Sequence, residues 1–175
     1  DPVHKISIVS RGMVGGYTRY VPADNRHFWT KAQFQDMLAA AMGGRVAEEL
    51  TFGELTTGAS NDLDMATSVA RKMVTQYGMS KRLGPRTFGS KDGLIFLGRE
   101  LGEQRNYSDR VAEEIDEEVH NILNTAYSTA KEILATHRAK LAQVARYLIA
   151  NETVEGDDLQ ELLKGPDAPQ AAPAV

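Results

Sequence analysis

Two acids on one stretch of helix-forming sequence, Asp62 and Asp64, set the first chemical question. At about 100° per residue, Asp62 lies in line with Ala66, Val69 and Met73, at the margin of an apolar stripe, whereas Asp64 points almost oppositely. Asp62 is therefore expected to face inward and Asp64 to meet solvent. An acid in a first helical turn either caps backbone N–H groups, favoured by the helix dipole, or aims its carboxylate at a cation. Spacing leaves both open. Upstream, the stripe Phe34, Leu38, Ala41 steps by i+4 and i+3 onto Arg45 and then Glu48. Burying an ion costs on the order of several kcal/mol unless it is paired or coordinates a metal. These two residues either have partners at a polar site or subunit contact, or form an i,i+3 pair on an exposed helix end.

The remaining chemical candidates are thin. The sequence has no cysteine, which excludes disulfides, thiolate metal sites and a Cys nucleophile among these residues. His4, His27, His120 and His137 include no pair at the i,i+4 spacing of a zinc-binding helix. Glu117-x-x-His120 matches half of a di-iron signature, but such a site needs a second copy and two more Glu-bearing helices. A solvated face is the expectation there. No Gly-x-Ser-x-Gly turn is present for a serine nucleophile, and neither Gly12 nor Gly15-Gly16 belongs to a phosphate-binding loop.

Twenty Lys plus Arg against 24 Asp plus Glu give a net charge of −4, without the basic excess that favours phosphate backbones, so nucleic acid is not an expected partner. No apolar run approaches the roughly 18 to 20 residues that cross a bilayer. The chain opens on Asp1-Pro2 and reaches strand-like sequence at once, which reads as a piece of something longer.

The elements that must position these residues are mainly helical. Ile6 to Val9 and Val14 to Val21 predict a hairpin or two successive strands, with Gly15 and Gly16 at a bulge or at an edge that receives another backbone. Thr30-Lys31-Ala32-Gln33 has the form of a capping box and predicts a helix from Lys31 to the Thr51-Phe52-Gly53 stop. Gly43-Gly44 inside it costs about 1 kcal/mol per Gly relative to Ala, a cost that close packing against a neighbour would explain. A second helix runs from about Asn61 to Tyr77, with Leu63, Ala66, Ala70, Met73, Val74 and Tyr77 buried and Gly78 as its stop. A long loop to about Asn106 carries one apolar island, Leu94 to Leu97. Ser108 caps a long helical region with a break near Ala135 to His137 and a turn at Asn151, and Asp157 to Leu163 is a final short helix. The expected fold class is mainly α: a helical bundle-like domain with a small N-terminal β-hairpin or sheet edge. Its parts are strands in 1–21, helices on the side of Asp62 in 31–77, the loop 78–107 and C-terminal helices in 108–164, followed by a disordered Pro and Ala tail, 165–175.

Taken in order, Asp1 to Ile8, Gly16-Tyr17-Thr18, Gly43 to Glu49, Thr57 to Leu63, Ala66-Thr67, Ala70 to Val74, Gly78-Met79-Ser80, Leu83-Gly84-Pro85, Phe96 to Arg99, Tyr107-Ser108 and Ile115 to Val119 resemble one family. The sequence is similar to the protease domain of the membrane-anchored, ATP-dependent zinc metalloproteases of the FtsH type, the part that follows the AAA ATPase module. The resemblance implies that two His on an H-E-x-x-H helix and a later Asp hold Zn²⁺, that the intervening Glu is the general base, and that metal-activated water attacks the peptide bond. It puts the third ligand at Asp62 and makes Glu48 an acid that hydrogen bonds a ligand His, fixing its orientation and basicity.

Family membership further implies Zn²⁺, ATP bound through an upstream module, a homohexamer at the bacterial inner membrane with this domain facing the cytoplasm, and unfolded or membrane polypeptides as substrates. Such substrates are held well by strand addition, and Val14, Gly15, Gly16, Tyr17 and Thr18 form the candidate receiving edge. The competing reading is a non-catalytic helical oligomerisation or interaction module of the same family. H-E-x-x-H is absent from these 175 residues, and in the family that helix lies just upstream of Asp1. Zinc hydrolysis needs three protein ligands and a base, of which the sequence offers one ligand and no base. The 175-residue polypeptide by itself is therefore expected neither to retain stoichiometric zinc nor to cleave casein, which metal analysis and a casein assay on the pure chain check.

Overall fold

The computed structural model describes residues 2–10, 15–21, 28–89 and 106–165. These carry five α-helices and three short strands in two compact units, one of residues 29–132 and one of residues 1–28 with 133–175.

In the unit of residues 29–132, helix α1 spans Lys31–Phe52. Its start is the expected capping box: the Thr30 hydroxyl accepts from the Gln33 N–H at 3.3 Å, and the Gln33 side chain accepts from the Thr30 N–H at 2.8 Å. Its end is Gly53 at φ 70, a left-handed stop that glycine adopts without steric cost. A 3₁₀ turn, Thr57–Ala59, leads into α2, Ser60–Thr75. Leu38, Met42 and Val46 of α1 and Ala66, Ala70, Met73 and Val74 of α2 are buried, the heptad-like stripes meeting as their spacing requires. Helix α3, Asp109–Thr136, adds buried Ile115, Val119, Ala126 and Ala130.

Residues 78–89, expected as loop, are well fastened. Gly78 sits at φ 60, and a Cβ there would lie 3.1 Å from Pro85 Cα, so both conformation and space demand glycine. The buried Ser80 hydroxyl donates to Glu118, the Phe88 N–H donates to the Thr75 carbonyl at 2.8 Å, and the Gly89 N–H donates to Asn106 Oδ1 at 2.8 Å. Tyr77, expected in the buried stripe, lies past the end of α2 and is half exposed, stacked on Phe34 with centroids 5.5 Å apart. The apolar island Leu94 to Leu97 lies outside the described residues.

In the other unit, β1 (Val3–Ser7) lies between β2 (Tyr17–Tyr20) and β3 (Thr153–Glu155), antiparallel to both. Ile6 pairs with Thr18 on one side and Val154 on the other. The first strand thus starts three residues earlier than its β-branched pattern indicates, and β3 goes unforeseen because three residues are too few to display a period. Helix α4, Arg138–Asn151, follows the expected break and ends at Glu152, whose φ of 62 turns the chain into β3. Helix α5, Gly156–Lys164, then packs back. Leu148, Val154 and Leu159 form the core of this unit, with Val3, Ile6, Val144, Tyr147 and Leu162 against it. Lys140 Nζ donates to the carbonyls of Leu162 at 3.1 Å and Gly165 at 2.6 Å, satisfying the end of α5.

The expectation of close packing at Gly43-Gly44 is corrected: a Cβ at either position would meet nothing within 4 Å among the described residues. Both therefore weaken a helix interior with no steric return among the described residues. Gly43→Ala is expected to raise the stability of the isolated chain by roughly 0.5 to 1 kcal/mol in urea unfolding. A lower midpoint would mean that a neighbour does approach this face.

Candidate functional site

The connection from α1 to α2 is built around Glu48. Its Oε2 accepts from the Thr56 backbone N–H at 3.0 Å, and the Thr56 hydroxyl donates to Oε1 at 2.9 Å and Oε2 at 3.2 Å. The same hydroxyl oxygen accepts from the Gly58 N–H at 3.1 Å, capping the 3₁₀ turn. Half-buried Glu48 thus has partners, as a charged residue on an inward stripe requires. They are not those of the helix-end alternative, since no Arg45–Glu48 ion pair forms among the described residues. Glu48 and Asp62 are brought to the two ends of one short connection, Glu48 four residues before the end of α1 and Asp62 in the first turn of α2.

Asp62 does not face inward. Its stripe keeps phase, with Ala66 and Met73 buried and Val69 half-buried, but Asp62 is exposed, as is Asp64. Full burial on α2 begins a turn after Asp62, at Ala66, with Leu63 only half-buried, so helical phase alone does not distinguish the two acids. Among the described residues no His, Cys, Asp or Glu group of three or more could hold a metal ion. One carboxylate does not fit a zinc site that takes three protein ligands, so no step of a reaction is assigned through a metal in this chain. Glu117 and His120 are exposed, Glu117 accepting from Arg82 and His120 lying 2.7 Å from Asn124, which matches the solvated face expected there.

The second cluster was not legible in sequence. The Tyr127 hydroxyl donates to Glu49 Oε2, and Lys131 Nζ donates to Glu49 Oε1 at 2.8 Å and to the Tyr127 hydroxyl at 3.3 Å. Tyr127 and Lys131 share a face of α3 at i,i+4, a visible hint, but nothing in sequence pairs them with an acid 78 residues away. Lys131 and Tyr127, by these hydrogen bonds, hold the Glu49 carboxyl below its usual range, with a smaller contribution from the charge on Arg45. The same bond to Glu49, followed by that to Tyr127, raises Lys131.

In the other unit, β2 occupies one edge of the sheet, so Tyr17 and Thr18 lie on a strand with no further strand beyond it among the described residues. Gly15 has open space where a Cβ would stand, whereas a Cβ on Gly16 would lie 2.7 Å from the Ser7 carbonyl oxygen. The absent side chain of Gly16 therefore leaves room for the chain's own β1. Val14 lies outside the described residues.

Comparison with known proteins decides the family. The profile of peptidase family M41 matches residues 1–162. The chain belongs to peptidase family M41. This M41 chain is 58% identical over 166 residues to ATP-dependent zinc metalloprotease FtsH 1 of Sphaerobacter thermophilus, covering 95% of this chain and 25% of that protein. It is 57% identical to the FtsH 1 of Thermomicrobium roseum, covering 95% of this chain and 26% of that protein, and 46% identical to the FtsH of Bacillus subtilis, covering 93% and 26%. The M41 chain thus spans about a quarter of the length of the curated relatives it matches. No helix among its described residues is long and apolar enough to cross a membrane.

The shifts at Glu49 and Lys131 fix a sign. A carboxyl lowered in the fold contributes stability above its ordinary value of 4.5, lost as pH falls through the lower folded value; a raised lysine contributes below 10.5, lost as pH rises through its higher folded value. Both groups are partly exposed, so solvent screening keeps the effect small. Glu49→Gln should therefore unfold at lower temperature than the wild type at neutral pH, with the difference fading as pH drops below 4.5. Thermal scans from pH 3 to 8 check this, and a difference flat across that range would contradict it.

Proposed function

We propose that this chain is part of the peptidase domain of a zinc metallopeptidase that degrades unfolded or membrane polypeptides, and that Asp62 is one of its zinc ligands. The single observation that carries the reading is the match to M41 over residues 1–162, with relatives named as zinc metalloproteases at up to 58% identity. The geometry supports it at one point. Asp62 is exposed on the first turn of α2, held by a connection clamped through Glu48, and is available to a cation. Two further ligands and a general base would come from residues beyond these 175, and zinc would supply the activated water there. Glu48 Oε1 keeps acceptor capacity beyond its Thr56 bond, so a ligand histidine N–H could be received there as well.

The name of the relatives, ATP-dependent zinc metalloprotease, supports ATP dependence through a separate module of the longer protein. A homohexamer at the bacterial inner membrane, with this domain on the cytoplasmic side, completes the proposal. Substrate strands would add to β2 alongside Gly15, Tyr17 and Thr18, main-chain hydrogen bonds giving a grip with little sequence preference.

The test is made in the full-length protein. Asp62→Asn should lose stoichiometric zinc and drop casein degradation to background while ATP hydrolysis persists. Gly15→Val should leave zinc bound and raise KM for unfolded substrate several-fold. Wild-type zinc content and proteolysis in Asp62→Asn would overturn the ligand assignment, whereas a full-length protein with neither zinc nor proteolysis would favour the non-catalytic module of the same family. Unchanged KM in Gly15→Val would remove the β2 edge from substrate binding.

A further inference from the structure

We propose that the outer edge of β2 selects extended polypeptides that carry an acidic side chain, and that Arg19 is the residue that selects them. The inference rests on the reading of β2 as a substrate-receiving edge and on no metal ligand.

The register of the sheet sets one row of charges across it. Glu155 of β3 stands opposite Lys5 of β1, and Lys5 stands opposite Arg19 of β2. Residues directly opposite in antiparallel strands share a face, and the next residue along each strand takes the other face. That next row is Val154, Ile6 and Thr18, and it is the one turned to the core, because Val154 is buried there and Ile6 packs against it. The charged row therefore lies on the opposite face, running out to the edge at Arg19.

Within this row the charges do not balance. Lys5 Nζ reaches Glu155 Oε2 at 2.8 Å, so the one acid is committed to the central strand. Lys5, by that hydrogen bond and then by its charge, holds Glu155 below the usual carboxylate range, with smaller contributions from His4 and Arg19. Arg19 itself is exposed and forms no ion pair, with Glu155 or any other acid, among the described residues. Two cations set directly opposite each other repel, and here they do so where the sheet stops. A strand added beyond β2 would place its own residue opposite Arg19. A carboxylate at that point brings the row to two acids and two cations, whereas a neutral side chain leaves the excess and a basic one adds to it. The main-chain hydrogen bonds of strand addition are the same for every sequence, so they supply a general grip and Arg19 supplies the preference.

An edge charge can also act only as a guard that repels every incoming strand, and the experiment separates the two roles. Short alternating Thr-Val peptides, capped at both ends to remove terminal charges and differing in one central Glu, Gln or Lys, are bound to the full-length protein and followed by fluorescence anisotropy. Wild type is expected to bind the Glu peptide about 3-fold more tightly than the Gln peptide, the scale of an exposed cross-strand ion pair, and the Lys peptide more weakly than either. High salt should flatten this preference. Arg19→Gln should bind the Glu and Gln peptides equally. Arg19→Glu, which sets an acid opposite Lys5 and so relieves the repulsion within the sheet, should invert the order in favour of Lys. Equal binding of the Glu and Gln peptides by wild type, or a Glu preference that survives Arg19→Glu, would overturn the inference. Tighter binding of all three peptides by Arg19→Gln would overturn it as well and make Arg19 a guard. Gly15→Val is run in parallel: if it weakens all three peptides while wild type shows no preference among them, only the present inference fails. If Gly15→Val binds all three as wild type does, or wild type binds none, the receiving edge fails and takes this inference with it.

Discussion

The carboxylate of Glu48 is the constraint on which the α1–α2 region depends. It is the only group described that ties the end of α1 to the loop ahead of α2 by side-chain hydrogen bonds, and it does so with a charged acceptor, the stronger kind. Its neighbour Glu49 points elsewhere, as consecutive helical residues must when each is turned by about 100°. Glu49 takes Tyr127 and Lys131 of α3. Two adjacent acids at the end of one helix thereby hold two different elements, the 3₁₀ turn before Asp62 and the C-terminal half of α3.

The N-terminal half of α3 works the same way with opposite polarity. Arg71 reaches Asp116 at 3.0 Å, Arg82 reaches Glu117 and lies 3.9 Å from Glu114, and Ser80 donates to Glu118. These contacts are exposed or half-exposed, and singly each contributes little stability. Collectively they direct the chain after α2. Residues 78–89 carry few apolar side chains, so polar bonds to α3, with Phe88 buried under Arg86 and beside Tyr107, decide their course.

What could be read in advance follows from how far each signal reaches along the chain. The capping box at Thr30 and Gln33, the Gly53 stop and the break before Arg138 are local chemistry, and the structure has each of them, whereas α2 ends at Thr75, short of the expected Gly78 stop. The buried stripe of α2 was equally legible through Ala66, Ala70 and Met73. The exposure of Asp62 was not, because periodicity gives direction around a helix and says nothing of where along its length a neighbour stops covering it. The partner of Glu48 was recoverable in principle, since a threonine two residues before a glycine marks a hydroxyl-closed turn. Glu49 with Tyr127, and β1 with β3, join residues too distant for any local pattern. Gly16 shows the converse: its presence was visible, but only the register with Ser7 reveals which backbone it accommodates.

The sheet has a temporal consequence. Ser7 is buried with its hydroxyl 2.9 Å from that of Thr153, 146 residues later in the chain. A ribosome delivers β1 well over a hundred residues before β3, so until β3 emerges β1 has only β2 beside it among the described strands. A lone two-stranded ribbon is marginal in water. This unit therefore matures only after β3 and α5 emerge, and a nascent chain exposes one unmated flank of β1 until then.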